Sequence, residues 1–169
     1  MKRIFILILI FSSLISLSSC KKNTIKYKII YDDLGGFGYK EINEELQFGT
    51  FALIKTYGDL ITLCNEWNNP SFDETSKYYD SEISKVYRSL NEEFFLTNYL
   101  IIYSFERGHL YATKIKNVTI DGDILKVNVK KVKTTNDVVT TEAFSWLILI
   151  SVENENLSNI SDIKLNYIN

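Results

Sequence analysis

One histidine, His109, and two cysteines, Cys20 and Cys64, are spread over the 169 residues. A Ser-His-Asp or Cys-His relay would have to run through His109, the only imidazole available as a base near neutral pH. Its surroundings, Glu106-Arg107-Gly108-His109-Leu110-Tyr111, contain no nucleophile elbow. Cys64 sits among Leu60, Leu63 and Trp67 at helical spacing, the pattern of a buried, inert thiol. Neither residue has zinc-ligand spacing. Asp32-Asp33 and Glu44-Glu45 are paired carboxylates, but pairs of this kind arise readily among 21 acids and read as solvated turns and faces. Asp121 and Asp123 flank Gly122 without the further ligands of a calcium loop. Gly35-Gly36-Phe37-Gly38 lacks the Lys-Ser/Thr and the following helix of a phosphate cradle. The expectation is a non-enzymatic chain with no cofactor and no metal.

The other cysteine has clearer chemistry. Lys2 and Arg3 open the chain. Residues 4–17 are apolar apart from Ser12, Ser13 and Ser16, and Lys21-Lys22-Asn23 turns abruptly polar. A basic start, a short apolar run and a small-residue end make an export signal, too short for the roughly 18 to 20 residues of a membrane span. Ordinary cleavage wants a small residue where Leu17 stands. Leu17-Ser18-Ser19-Cys20 instead resembles the bacterial lipobox. That resemblance implies a diacylglycerol on the Cys20 thiol, cleavage before Cys20, and often a further acyl chain on the new amino group. Each buried methylene contributes about 0.8 kcal/mol, so two or more chains hold stably where one is marginal. The expected organisation is a signal peptide at 1–19, a lipidated tether at 20–24 and a single domain at 25–169. It would be held on a bacterial membrane in the cell envelope, facing the periplasm or exterior.

Removing residues 1–19 takes two basic residues and no acid, so the formal net charge moves from −2 to −4. A mildly acidic domain argues against sequence-independent nucleic-acid binding, which depends on neutralising phosphates. With Cys20 lipidated, Cys64 has no disulfide partner within the chain. The 14% of aromatic residues must then supply the core.

The elements follow from periodicity. Residues 25–31 and 51–55 read as short strands. Thr56-Tyr57-Gly58-Asp59 is a helix-start signal, Leu60, Leu63, Cys64 and Trp67 mark the buried face, and Asn68-Asn69-Pro70 stops the helix. A second helix is expected over 81–90, with Ile83, Val86, Tyr87 and Leu90 on one face. From residue 99 the period becomes two. Residues 99–105 and 143–152 are apolar on both faces, the second expected as a central strand with Trp146, Ile148 and Ile150 on one side. Residues 110–120 slip in alternation near Asn117, which suggests a bulge. Asp121-Gly122 suits a tight hairpin into 124–131. Ile163, Leu165 and Tyr167 alternate with polar residues as an edge strand would. The class is α+β: two helices, then an antiparallel meander of four to five strands, with one or two extra N-terminal strands.

Several of these segments carry a family resemblance. Asn91-Glu92-Glu93-Phe94-Phe95 leads into Leu100-Ile101-Ile102-Tyr103. Val118-Thr119-Ile120-Asp121-Gly122-Asp123-Ile124-Leu125 forms the hairpin, and Trp146-Leu147-Ile148-Leu149-Ile150 the central strand. Over residues 51–169 this order resembles an uncharacterised family of exported bacterial lipoproteins. That family is distantly similar to the C-terminal domain of PrcB-type accessory lipoproteins of surface protease complexes. Domains of the PrcB type carry a Thr-Gly-Gly-Tyr-like turn between the first two meander strands. Here 106–111 keeps one glycine and a tyrosine. The resemblance implies a protein-binding or assembly module that docks another envelope protein. The candidate contact is the turn of Arg107, Gly108, His109 and Tyr111, because arginine is common at binding hot spots and loops on a rigid sheet commonly carry function. The alternative is a protease inhibitor whose loops plug an active-site cleft.

Overall fold

The strands Asn98–Arg107 and Phe144–Glu153 are apolar on both faces, and the rest of the chain covers them. Successive strand side chains point to opposite sides. Leu100, Ile102, Leu147 and Leu149 therefore meet one layer, and Ile101, Tyr103, Ile148, Ile150 and Val152 another. The first layer is helical and contributes Leu60, Cys64, Tyr87 and Phe95. The second is a further sheet contributing Val118, Leu125, Val127 and Val129. The result is three layers: helices, an inner sheet and an outer sheet.

The computed structural model describes residues 23–108, 111–133, 144–155 and 157–168. In chain order these form β1 (Asn23–Ile25), β2 (Tyr27–Leu34), β3 (Lys40–Ile42), β4 (Glu45–Gln47) and β5 (Thr50–Ile54). Then come α1 (Tyr57–Glu66), a 3-10 turn (Pro70–Phe72), α2 (Glu82–Ser89) and α3 (Glu92–Thr97). The remaining strands are β6 (Asn98–Arg107), β7 (Tyr111–Asp121), β8 (Ile124–Lys133), β9 (Phe144–Glu153) and β10 (Asp162–Tyr167). The inner sheet runs β2-β9-β6-β5, the outer sheet β1-β7-β8-β10, and β3-β4 stand apart as a ribbon.

The mixed α+β class holds, but the helix-then-meander order does not. β6 and β7 are consecutive yet lie in different sheets, as do β8 and β9. β10 joins β8 in parallel, although it is an edge strand as expected. The reason is strand type. β6 and β9 are buried on both faces, so they pair with each other in the inner sheet. β8 buries Leu125, Val127 and Val129 while turning Lys126, Asn128 and Lys130 outward, which suits a sheet with one wet face.

Several local signals translate directly. Thr56 and Asp59 close a capping box at the start of α1. Ser81 caps α2, which spans 82–89 within the expected 81–90. The β7–β8 register shifts between Ile115 and Asn117, and Gly122 takes φ 64° in the hairpin. Other features differ. Asp32 and Asp33 lie within β2 rather than in a turn after it, paired with Ile148 and Leu147. Asn23 and Thr24, expected in the tether, pair with Ile120 and Thr119 in β1. A third helix, α3, replaces the lead-in at 91–95, and Asn91 caps it by accepting the Phe94 N–H at 3.1 Å.

The glycine loop before β3 serves packing. It carries Phe37 into the helical layer, fully buried, with edge-on contacts to Trp67 and Tyr87. The Phe37 N–H donates to Ser104 Oγ at 3.2 Å. Gly38 has φ 146°, and a Cβ there would come within 2.2 Å of the Trp67 carbonyl oxygen. Only glycine fits that approach.

Tyr87 is the one side chain in this layer whose polar atom is buried without a hydrogen-bond partner among the described residues. Burial pushes its hydroxyl pKa far up. Because an unsatisfied buried hydroxyl carries a desolvation cost of about 1 to 3 kcal/mol, Tyr87→Phe is expected to leave stability unchanged or raise it. Urea unfolding of the two proteins checks this; a loss above about 1 kcal/mol would show that the hydroxyl has a partner.

Candidate functional site

Arg107 ends β6 and pairs with Phe144; the preceding register position on the same face, Phe105, pairs with Trp146. Arg107 and Trp146 are thus diagonal neighbours, close enough for a long side chain to reach across. The guanidinium carbon lies 3.4 Å from the centre of the Trp146 ring, a stacked cation–π contact. Trp146 Nε1 in turn donates to Asp32 Oδ1 of β2 at 2.7 Å. Partial burial lowers the Arg107 pKa, and the charges of Asp32 and Asp33 oppose that shift. No ion pair or hydrogen bond among the described residues engages the guanidinium N–H groups. The stack therefore presents a positioned cation whose donors are uncommitted among the described residues.

The other residues of the expected contact lie nearby along the chain. Gly108 is exposed, and a Cβ there would meet nothing within 4 Å, so the position does not demand glycine. Tyr111 opens β7, paired with Lys133 and 50% exposed. His109 lies outside the described residues, as does Cys20. The 107–111 link is not a hairpin turn, because β6 and β7 do not pair; it passes from the inner sheet to the outer one. Sequence reading missed Asp32 and Trp146 as companions of Arg107. Their bond spans 114 residues, and no local signal announces it.

The remaining reactive groups are occupied structurally. Cys64 is buried, and burial alone raises its thiol pKa to about 12, which leaves it protonated and unreactive. The Asp121 carboxylate pairs with Lys126, and that of Asp123 accepts the Ser161 hydroxyl. These bonds hold both carboxyls below their usual range, Asp121 through Lys126 and Asp123 through Ser161. Among the described residues no group of three or more His, Cys, Asp or Glu is placed to hold a metal ion. Nor is any helix there long and apolar enough to cross a membrane. Comparison with family models, curated proteins and solved structures gives no match for the chain.

Trp146 is only partly buried, unlike Ile148 and Ile150, which are fully enclosed on the same face. Trp146→Ala is therefore expected to cost about 2 to 3 kcal/mol, below the roughly 3 to 5 of a fully enclosed ring. Denaturant unfolding measures it. A loss under about 1 kcal/mol would mean that the Arg107–Trp146–Asp32 stack does not persist in solution.

Proposed function

We propose that this chain is a lipid-anchored envelope protein that catalyses nothing and binds a protein partner through the end of the domain bearing Arg107. The observation that carries the reading is the guanidinium stacked on Trp146, its donors uncommitted among the described residues. Arginine is frequent at binding hot spots, and a stacked guanidinium is already oriented for a carboxylate or carbonyl acceptor. The lipobox-like Leu17-Ser18-Ser19-Cys20 supports the anchor, and the likeness to accessory lipoproteins of surface complexes supports a docking role. The placement of the two ends agrees with both. Asn23 pairs with Ile120, beside the β7–β8 hairpin, while Tyr111 opens the same strand nine residues away. At roughly 3.3 Å per residue this separates the two ends by about 30 Å. A partner would meet Arg107 well clear of the bilayer.

The anchor is tested by Cys20→Ser, which is expected to leave an unprocessed precursor that takes up no labelled fatty acid. Normal processing and labelling of that variant would sink the lipoprotein reading.

The contact is tested by capturing partners from envelope extract with the anchored protein, then titrating wild type and Arg107→Ala against the partner recovered. Loss of a hot-spot side chain costs about 2 kcal/mol or more, roughly thirtyfold in affinity. The thermal midpoint is expected to fall only slightly, since the cation–π contact contributes about 0.5 to 1 kcal/mol at an exposed site. Equal affinities would remove Arg107 from the binding surface. Inhibition of a captured protease by the protein would move the reading to the inhibitor class.

A further inference from the structure

We propose that copies of this chain pack side by side in a row, the basic face of the outer sheet in one copy against the acidic helical layer of the next. These surfaces are separate from the Arg107 contact.

Charge is divided between the two covering layers. The four strands of the outer sheet carry seven lysines, no arginine and two aspartates, a net of +5. Residues 57–97, which form the helical layer, carry eight acids and three basic residues, a net of −5. All eight acids are exposed. The inner sheet lies between these layers, so the two signs face opposite sides of the domain.

The sheet face is arranged against its own stability. Lys114 and Lys130 are direct cross-strand partners, and so are Lys126 and Lys164. Like charges directly opposite one another destabilise a sheet. Asp121 and Asp162 lie against Lys126 and Lys164 and relieve the second pair. No ion pair among the described residues relieves the first. An acidic surface from outside would do so.

The helical layer offers that surface at two matching levels. Ser81 and Ile83, on either side of Glu82, share a cleft with Gly36. A Cβ on Gly36 would meet Ser145 at 3.7 Å, and Ser145 pairs with Glu106 next to Arg107. Asp80 and Glu82 therefore stand at the Arg107 end, the end where Lys114 and Lys130 lie three residues from the Tyr111–Lys133 pair. Glu92 on α3 borders a different cleft with Lys55. Lys55 Nζ donates to the Ile160 carbonyl at 2.5 Å, and the next residue, Ser161, donates its N–H to the Asp123 carbonyl of the β7–β8 hairpin. Glu92 thus stands at the hairpin end, with Lys126 and Lys164. Copies that point the same way bring opposite charges together at both levels. Arg88 does not oppose this, because it is engaged within its own layer by the Ser71 and Tyr79 carbonyls. Lys77 and Lys85 do oppose it, and the eight acids outnumber them.

A contact between two different faces of one chain is heterologous, so each added copy leaves a free face and the row extends. Single exposed ion pairs contribute little, so the row depends on several acting together and weakens with salt.

The test is sedimentation of the full chain in nonionic detergent, with micelles in excess over protein. Average mass is expected to rise with protein concentration at low salt. It is expected to return to one copy at about 0.5 M salt, where the Debye length is about 4 Å. Lys114→Glu with Lys130→Glu, and separately Asp80→Lys with Glu82→Lys, are each expected to weaken association roughly tenfold or more. An equimolar mixture of the two variants is expected to assemble again, because each supplies the charge that the other has lost. Circular dichroism checks that both are folded; if either is not, Lys130→Gln and Glu82→Gln replace them, each expected to weaken association. A wild-type chain that stays monomeric at low salt, a mass that stops at two copies, or folded variants that associate like wild type would each overturn the row. A mixture of folded reversal variants that stays monomeric would overturn the pairing of these two faces.

Discussion

The pairing of β6 with β9 is the constraint on which the other layers depend. Leu100, Ile101, Ile102, Leu147, Ile148, Leu149 and Ile150 are completely buried in two adjacent strands. Burying one such side chain stabilises by about 1.5 to 3 kcal/mol, but only when both sides of the sheet are covered. A lone antiparallel pair cannot do this. The chain supplies helices on one side and a second sheet on the other, and each cover has a matching apolar stripe. β5 obeys the same logic at the sheet edge, with Ala52 and Ile54 toward the helices and Phe51 and Leu53 toward the outer sheet. The polar atoms within this region are satisfied: Ser104 receives the Phe37 N–H, and Ser151 donates to Asn98 Oδ1 at 2.9 Å.

The helical cover is itself held by the glycine loop. A helix ends with carbonyls that lack intrahelical partners. At the end of α1 the Cys64 carbonyl accepts from the Asn69 N–H at 2.8 Å, and the Trp67 carbonyl accepts from the Tyr39 N–H at 2.7 Å. Asn68 makes the reversal with φ 47°, a conformation that asparagine tolerates. Phe37 fills the space beside Trp67 and Tyr87, and Gly38 permits the close approach that makes this possible. The Lys40–Glu66 pair, 3.2 Å apart but exposed, adds little to this arrangement. Close packing and backbone hydrogen bonds join ribbon, loop and helix.

This hierarchy explains which parts of the molecule were legible in the sequence. Signals contained within a few residues read correctly: the Thr56–Asp59 box, the Ser81 cap, the slip near Asn117 and the Asp121-Gly122 hairpin. Two-faced burial of β6 and β9 was legible too, since continuous apolar runs require it. Strand order was not. The β2–β9 and β6–β9 ladders join segments that are remote in sequence, and adjacency favoured a meander that strand type forbids. The β3–β4 ribbon turns at Asn43 and Glu44 with φ 53° and 69°, where no glycine announces a tight turn. At the candidate site the arginine was singled out, but as a turn residue, whereas it closes β6 in register with Phe144. Its ring partner and the carboxylate behind that ring come from β9 and β2, so their convergence exists only once the inner sheet has formed.

Connectivity also fixes how the two ends of the domain relate. The 107–111 link precedes β7 and the Gly122 turn follows it, so they lie at opposite ends of one strand. β1 pairs with residues 118–120 of β7, on the hairpin side. From Tyr111 to Ile120, the partner of Asn23, the chain is therefore a hydrogen-bonded strand held by β8 along nearly its full length. Loop motion cannot bring Arg107 to the Asn23 side without breaking that ladder. Such a break would also uncover Val118, Val127 and Val129, which are fully buried against the inner sheet. The separation of the two ends is thus enforced by the same interlayer core that covers β6 and β9. Any partner bound at Arg107 stays on the side of the domain away from β1 as long as the domain is folded.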